Sequence, residues 1–158
     1  MSNSSNDPSL TSISTNSHYD YINKLPKSDI FEYPGKNGLK RLPKGSLGEL
    51  DHHCENLIIP EVWTIETAKN AALKVIDRQL SVWGCHKQDE TLIDEFKTVI
   101  RSLNDKQHTV EKIGPLVGIG CRVMNSLCED SEMFSSEMEW FQDTRCIIRE
   151  VIKQLEAL

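Results

Sequence analysis

Beyond Pro60 the apolar residues of this chain return at intervals of three and four, segment after segment, and that rhythm points to packed amphipathic helices. In the first segment Ile65, Ala68, Ala72, Ile76, Leu80 and Trp83 line one face. Thr64 stands where a helix needs a capping oxygen and Gly84 where it needs a left-handed terminator, so the spacing predicts a helix over 64–83. A second is expected over 89–103. Leu92, Phe96, Val99 and Leu103 share its apolar face, Ile93 and Ile100 widen it, and Asp89, Glu90 and Asp94 sit near the positive N-terminal end.

The third segment repeats Val110, Ile113, Val117, Cys121, Met124 and Cys128, but Gly114-Pro115 falls inside it. Proline lacks a backbone donor and crowds the preceding turn, so a break or kink is expected near Gly114, with a helix over 115–128. The fourth helix is expected over 136–157, opened by the capping-box spacing of Ser136 and Glu139. Along it Phe141, Thr144, Ile148, Val151, Leu155 and Leu158 advance by alternating threes and fours, and Met138, Ile147 and Ile152 broaden the seam. A seam this short and broad suits packing within a bundle better than a free-standing coiled coil. The expected fold is all-α: a compact bundle of about four helices, neighbours roughly antiparallel because the connections are short.

The first sixty residues have another character. Over 1–17 about half the residues are Ser or Thr and most others are Asn, Asp or Pro, too little apolar area to offset the entropy of ordering. A disordered Ser/Asn-rich arm is expected there, with hydroxyls open to phosphorylation. Over 18–60 Tyr19, Tyr21, Phe31 and Tyr33 lie among Pro26, Pro34, Gly35, Gly38, Pro43, Gly45 and Gly48. This reads as an extended linker whose aromatic anchors either fold back on the helices or order on a partner. The helical domain is then 61–158, and only there are the apolar residues, 38% of the chain, dense enough to fill a core.

Charge narrows the function. Residues 61–158 carry twelve Lys/Arg against seventeen Asp/Glu and hold nearly all of the net charge of −6, which argues against a broad basic face for nucleic acid. Lys36, Lys40, Arg41 and Lys44 leave a local basic patch. The N-terminus lacks a basic stretch followed by an apolar one, and no segment nears the roughly 20 apolar residues that cross a bilayer. The five cysteines are odd in number and widely spaced, unlike extracellular disulfide frameworks. Reduced thiols, a cytoplasmic or nuclear setting and no membrane partner are expected.

Chemistry is sparse. His52 and Cys54 with Cys85 and His86 are the only metal-like group, a weak one, because adjacent ligands seldom point at one ion and no C-x-x-C pair sets the geometry. Neither metal nor cofactor is expected. Gly114, Gly118 and Gly120 do not form a phosphate loop, since no G-x-x-x-x-G-K-[ST] is present, and Gly118 fits better as a flat place where a helix or the linker packs closely. No G-x-S-x-G occurs, and Cys85-His86 is the one close thiol and imidazole pair, although sequence neighbours do not normally face each other. Capping and solvation account for Asp89-Glu90 and Glu129-Asp130.

Trp63, Trp83 and Trp140 read as core, except that Trp140 is turned about 100° from Phe141 and is the tryptophan expected at a surface contact. The expected function is a non-enzymatic interaction module, an adaptor or regulatory cofactor that binds another protein or itself through Tyr19, Tyr21, Phe31, Tyr33, Gly118 and Trp140. The alternative is a helical nucleic-acid-associated protein using the basic linker. Small viral polymerase cofactors, host-response antagonists and regulatory subunits share such a layout, an analogy of architecture alone.

Overall fold

The computed structural model describes residues 21–53 and 60–158, so the expected arm, Tyr19 and Cys54 lie outside the described residues. Four long helices carry the fold: α1 (Ile65–Trp83), α2 (Glu90–Ser102), α3 (Val110–Glu129) and α4 (Glu139–Ala157). A two-stranded antiparallel hairpin precedes them, β1 (Ile30–Gly35) and β2 (Gly38–Pro43). No helix among the described residues is long and apolar enough to cross a membrane.

Helix α1 begins and ends as its residues dictate. Thr64 Oγ1 accepts from the Thr67 amide at 3.1 Å and Thr67 Oγ1 accepts from the Thr64 amide at 2.8 Å, a reciprocal cap. At the other end Gly84 takes φ +70° and donates its amide to the Leu80 carbonyl at 2.9 Å.

Helix α3 is the axis of the bundle. Ile113, Val117, Ile119, Met124 and Leu127 are buried on different sides of it, because α1, α4 and the 3-10 segment Leu47–His53 all pack against it. An apolar helix with few charges has no polar face to leave in water, so it occupies the centre. The helix starts at Val110 rather than near residue 115: Pro115 lies inside it. The carbonyl that loses a proline donor is that of Glu111, an exposed residue in the first turn, where water can replace the missing bond.

The N-terminus of α4 also differs from expectation. Met138, not Ser136, is the residue before its first turn, and no side chain caps it. Ser136 instead turns its hydroxyl toward the Gln88 side chain at 3.3 Å, which joins the α3–α4 connection to the α1–α2 connection. Most of the α4 seam is satisfied within the chain, with Phe141, Thr144, Ile148, Val151 and Leu155 all buried, while Leu158 at its end is exposed.

The largest correction concerns the expected linker. Residues 30–43 form a hairpin in which Phe31 and Tyr33 face the bundle and Glu32 faces water, the alternation of a half-buried strand. Pro34 and Pro43 do not prevent it, since a two-stranded ribbon has open edges that need no donor. The hairpin is latched to α4: Asp143 accepts from the Lys36 amide at 3.1 Å and from the Lys40 ammonium, and Asn37 Nδ2 donates to Glu139 Oε1 at 2.8 Å. Arg122 of α3 donates to the Pro43 carbonyl at 3.1 Å.

The chain then crosses α3 backbone against backbone. A Cβ on Gly118 would fall 2.2 Å from the Ser46 carbonyl oxygen, and one on Gly45 would fall 2.2 Å from the Ile119 nitrogen, so both glycines are required by the approach. Leu47 and Leu50, just beyond, are buried against the core.

Candidate interaction surface

Of the residues expected to meet a partner, most are occupied by the fold. Phe31 and Tyr33 are core residues, their rings stacked with centroids 6.2 Å apart. Gly118 is covered by Ser46 of the same chain. Trp140 is half-buried, stacked on Phe141 at 4.2 Å. Tyr21 is exposed, beside the buried Ile22. In the basic patch, Lys40 pairs with Asp143 and Arg41 with Glu32, while Lys36 and Lys44 are exposed.

The unexpected features gather at one end of the bundle, where α1 turns into α2 and α3 turns into α4. Beneath the surface Asp89 and Arg145 form a buried ion pair. Arg145 Nε meets Asp89 Oδ1 at 2.5 Å and Nη2 meets Oδ2 at 3.2 Å, with side chains only 4% and 1% exposed. Asp89 directly precedes α2, yet its carboxylate does not cap the helix; it turns inward to the guanidinium. The expectation that Asp89 is solvated is therefore corrected, and the cause is a cation on α4 that shares no local pattern with it. When the Gln88 amide is oriented to satisfy both its groups, its oxygen also accepts from Arg145 Nη2 at 2.9 Å and Nη1 at 3.1 Å.

Phe141 organises the same end. The Arg145 guanidinium carbon lies 5.8 Å from its centroid, Trp140 stacks on it, and the His86 ring meets it edge-on at 5.1 Å. His86 Nε2 is buried with no hydrogen-bond partner among the described residues.

The thiols nearby are held protonated. Burial pushes Cys85 above its ordinary value, and the negative charges of Asp89, Glu90 and Asp94 push it further. Burial, then Cys85, Asp89 and Glu129, push Cys128 up to about 12. A nucleophilic or metal-binding cysteine needs the thiolate, which this environment disfavours. Among the described residues no group of three or more His, Cys, Asp or Glu is placed to hold a metal; Cys54 and the His52 side chain, expected to join Cys85 and His86, lie outside them.

On the outside of this end lie the large apolar side chains that the fold does not cover. Val82 and Trp83, at the end of α1, are 52% and 41% exposed, and Met133, in the α3–α4 connection, is 75% exposed. Phe134 and Met138 are exposed beside it. The Gln88–Ser136 contact holds the two connections together, so these residues occupy one end of the molecule. Two of them depart from expectation: the spacing places Trp83 in the core and Met138 on the α4 seam, but both lie where their helices end and stay partly exposed. Met133 and Phe134 belong to no helical stripe, and that was the signal for them: large apolar residues amid charges, outside any periodic pattern.

The rim of this end is acidic. Glu90, Glu129, Glu132, Glu137 and Glu139 are exposed, Asp130 is half-exposed, and Lys87 is the one exposed cation on the two connections. Comparison with protein-family models, curated proteins and solved structures finds no match to this chain.

Proposed function

We propose that this chain is a non-enzymatic protein–protein interaction module, an adaptor or regulatory cofactor, that docks its partner on the apolar end of the bundle. The observation that carries this reading is the joint exposure of Val82, Trp83, Met133, Phe134 and Met138 in a fold that buries most of its other large apolar residues. Tryptophan, phenylalanine and methionine are the residues enriched at the centres of interfaces, and each Å² withdrawn from water contributes about 25 cal/mol. The raised thiols of Cys85 and Cys128 support a binding role over a catalytic one. A cytoplasmic or nuclear setting accords with the free cysteines at positions 85, 121, 128 and 146.

The test is site-specific photo-crosslinking of the full chain in its native cells, with the photoreactive residue placed at Met133 or, as a control, at exposed Thr98 on the outer face of α2. One recurrent adduct from position 133 that is missing from position 98 is expected. Equal yields at both positions, or none at either, refute the reading. Truncation at residue 61 is unsuitable for this purpose, because it removes Phe31, Leu47 and Leu50 from the core.

A further inference from the structure

Three occupants compete for the apolar end: an undescribed segment of the same chain, a second copy, and another protein. Charge separates them. Residues 1–20 contain no Lys or Arg, and residues 54–59 contain an acid and no base. The latter also lead into the start of α1, at the far end of a helix of 19 residues that spans about 28 Å. A second copy docked end to end would set the acids of one rim against those of the other, with only Lys87 and, on the hairpin tip beside Glu139, Lys36 exposed to offset them.

We infer that the occupant of the apolar end is a basic amphipathic segment of another protein, with apolar anchors covering Trp83, Met133 and Phe134 and flanking Lys or Arg meeting Glu132, Glu137 and Glu139. This rests on the docking role proposed above and adds the chemistry of the partner. The rim acids supply attraction at a distance, and the apolar centre supplies the area that holds the complex. Of the three acids named, Glu139 already accepts from Asn37, so Glu132 and Glu137 are the ones to alter.

The experiment uses the full chain, labelled with ¹⁵N and with ¹³C at the methionine methyls, and two synthetic amphipathic helices of roughly 18 residues, about five turns. Both carry the same Leu and Trp face; one has Lys on its polar face and the other Glu. The Lys peptide is expected to shift the Trp83 indole and the Met133 and Met138 methyls. Its affinity is expected to fall about tenfold when salt rises from about 0.05 to 0.3 M, and about tenfold in the E132K/E137K variant, where two attractions become two repulsions. The Glu peptide is expected to shift none of these signals.

Equal binding of both peptides would overturn the basic chemistry and leave the docking face standing. Binding of neither would overturn the docking face as well. A Lys peptide with its apolar residues scrambled serves as a control, and shifts as large as those of the amphipathic one would mean plain charge attraction and also overturn the inference.

Discussion

Replacing Arg145 with methionine leaves the Asp89 carboxylate, a residue with no exposed surface, without its two guanidinium bonds. Methionine fills much of the same volume, so the loss is chiefly electrostatic. Stranding one member of a buried ion pair costs about 3–5 kcal/mol, and loss of the guanidinium over Phe141 adds about 0.5–1 kcal/mol. For a domain of this size that corresponds to a fall in Tm of about 7–24 °C.

Removing both charges together, Asp89→Leu with Arg145→Met, strands nothing and is expected to cost about 1 kcal/mol or less. Urea unfolding followed by circular dichroism, run on the wild type, both single variants and the double variant, closes the cycle. The expected coupling is about 3 kcal/mol or more and is insensitive to salt, as suits a pair out of reach of counterions. The exposed pair Lys97–Asp77 is the control, worth no more than about 1 kcal/mol. A single Arg145→Met variant costing under about 1 kcal/mol, or a double variant as damaging as the sum of the singles, would refute the argument.

Gly118→Ala gains about 1 kcal/mol of helix propensity but drives a Cβ to 2.2 Å from the Ser46 carbonyl. Overpacking of about 3 kcal/mol outweighs that gain, so a net loss of about 2 kcal/mol in urea unfolding is expected, and an unchanged midpoint would refute the crossing. Met133→Ser is expected to leave stability within about 0.5 kcal/mol while abolishing the adduct to a partner from a photoreactive group at Phe134; retained adduct would refute the docking face. Burial raises Cys121 from 9.0 to about 12, so the unfolded chain releases this proton first and stability falls as pH rises from 9 toward 12. Cys121→Ala should flatten that decline by about 1.4 kcal/mol per pH unit, and parallel slopes in alkaline urea titrations would refute the assignment.

The helices were legible because their determinants are local. Thr64 and Gly84 mark the bounds of α1, and the threes and fours of α4 mark its buried face. The hairpin also has local signals, weaker ones. Phe31 and Tyr33 alternate with Glu32, and Asn37-Gly38 closes a tight turn with Gly38 at φ +113°. The density of Pro and Gly suggests interruption, yet two of those residues, Pro34 and Pro43, sit where a ribbon tolerates them and a third, Gly45, is what allows the chain to cross α3.

The small-residue spacing marks Gly118 as a site of close approach, and it is one, but no local pattern says that the visitor is Ser46 of the same chain. The Asp89–Arg145 pair was invisible for a related reason: its members are 56 residues apart and meet only through the packing of α2 and α4. Trp83 and Met138 carry the right spacing for burial, and only the ends of their helices decide that they are uncovered.

The Asp89–Arg145 pair is buried at the same end as the exposed apolar residues, which ties stability to the proposed docking role. Apolar residues at 89 and 145 would hold the bundle about as well, so the charges contribute direction more than energy. The carboxylate fixes the turn that follows Trp83, and the guanidinium, through Gln88 and its contact with Ser136, fixes the connection that bears Met133 and Phe134. The double variant Asp89→Leu/Arg145→Met is therefore expected to fold with near wild-type stability and yet bind the Lys peptide about tenfold more weakly, because its two connections are no longer held in one arrangement. Isothermal titration of that variant, with its methionine methyl spectrum as a record of order at the end of the bundle, is the measurement. Wild-type affinity in a stable double variant would show that the pair does not position the surface.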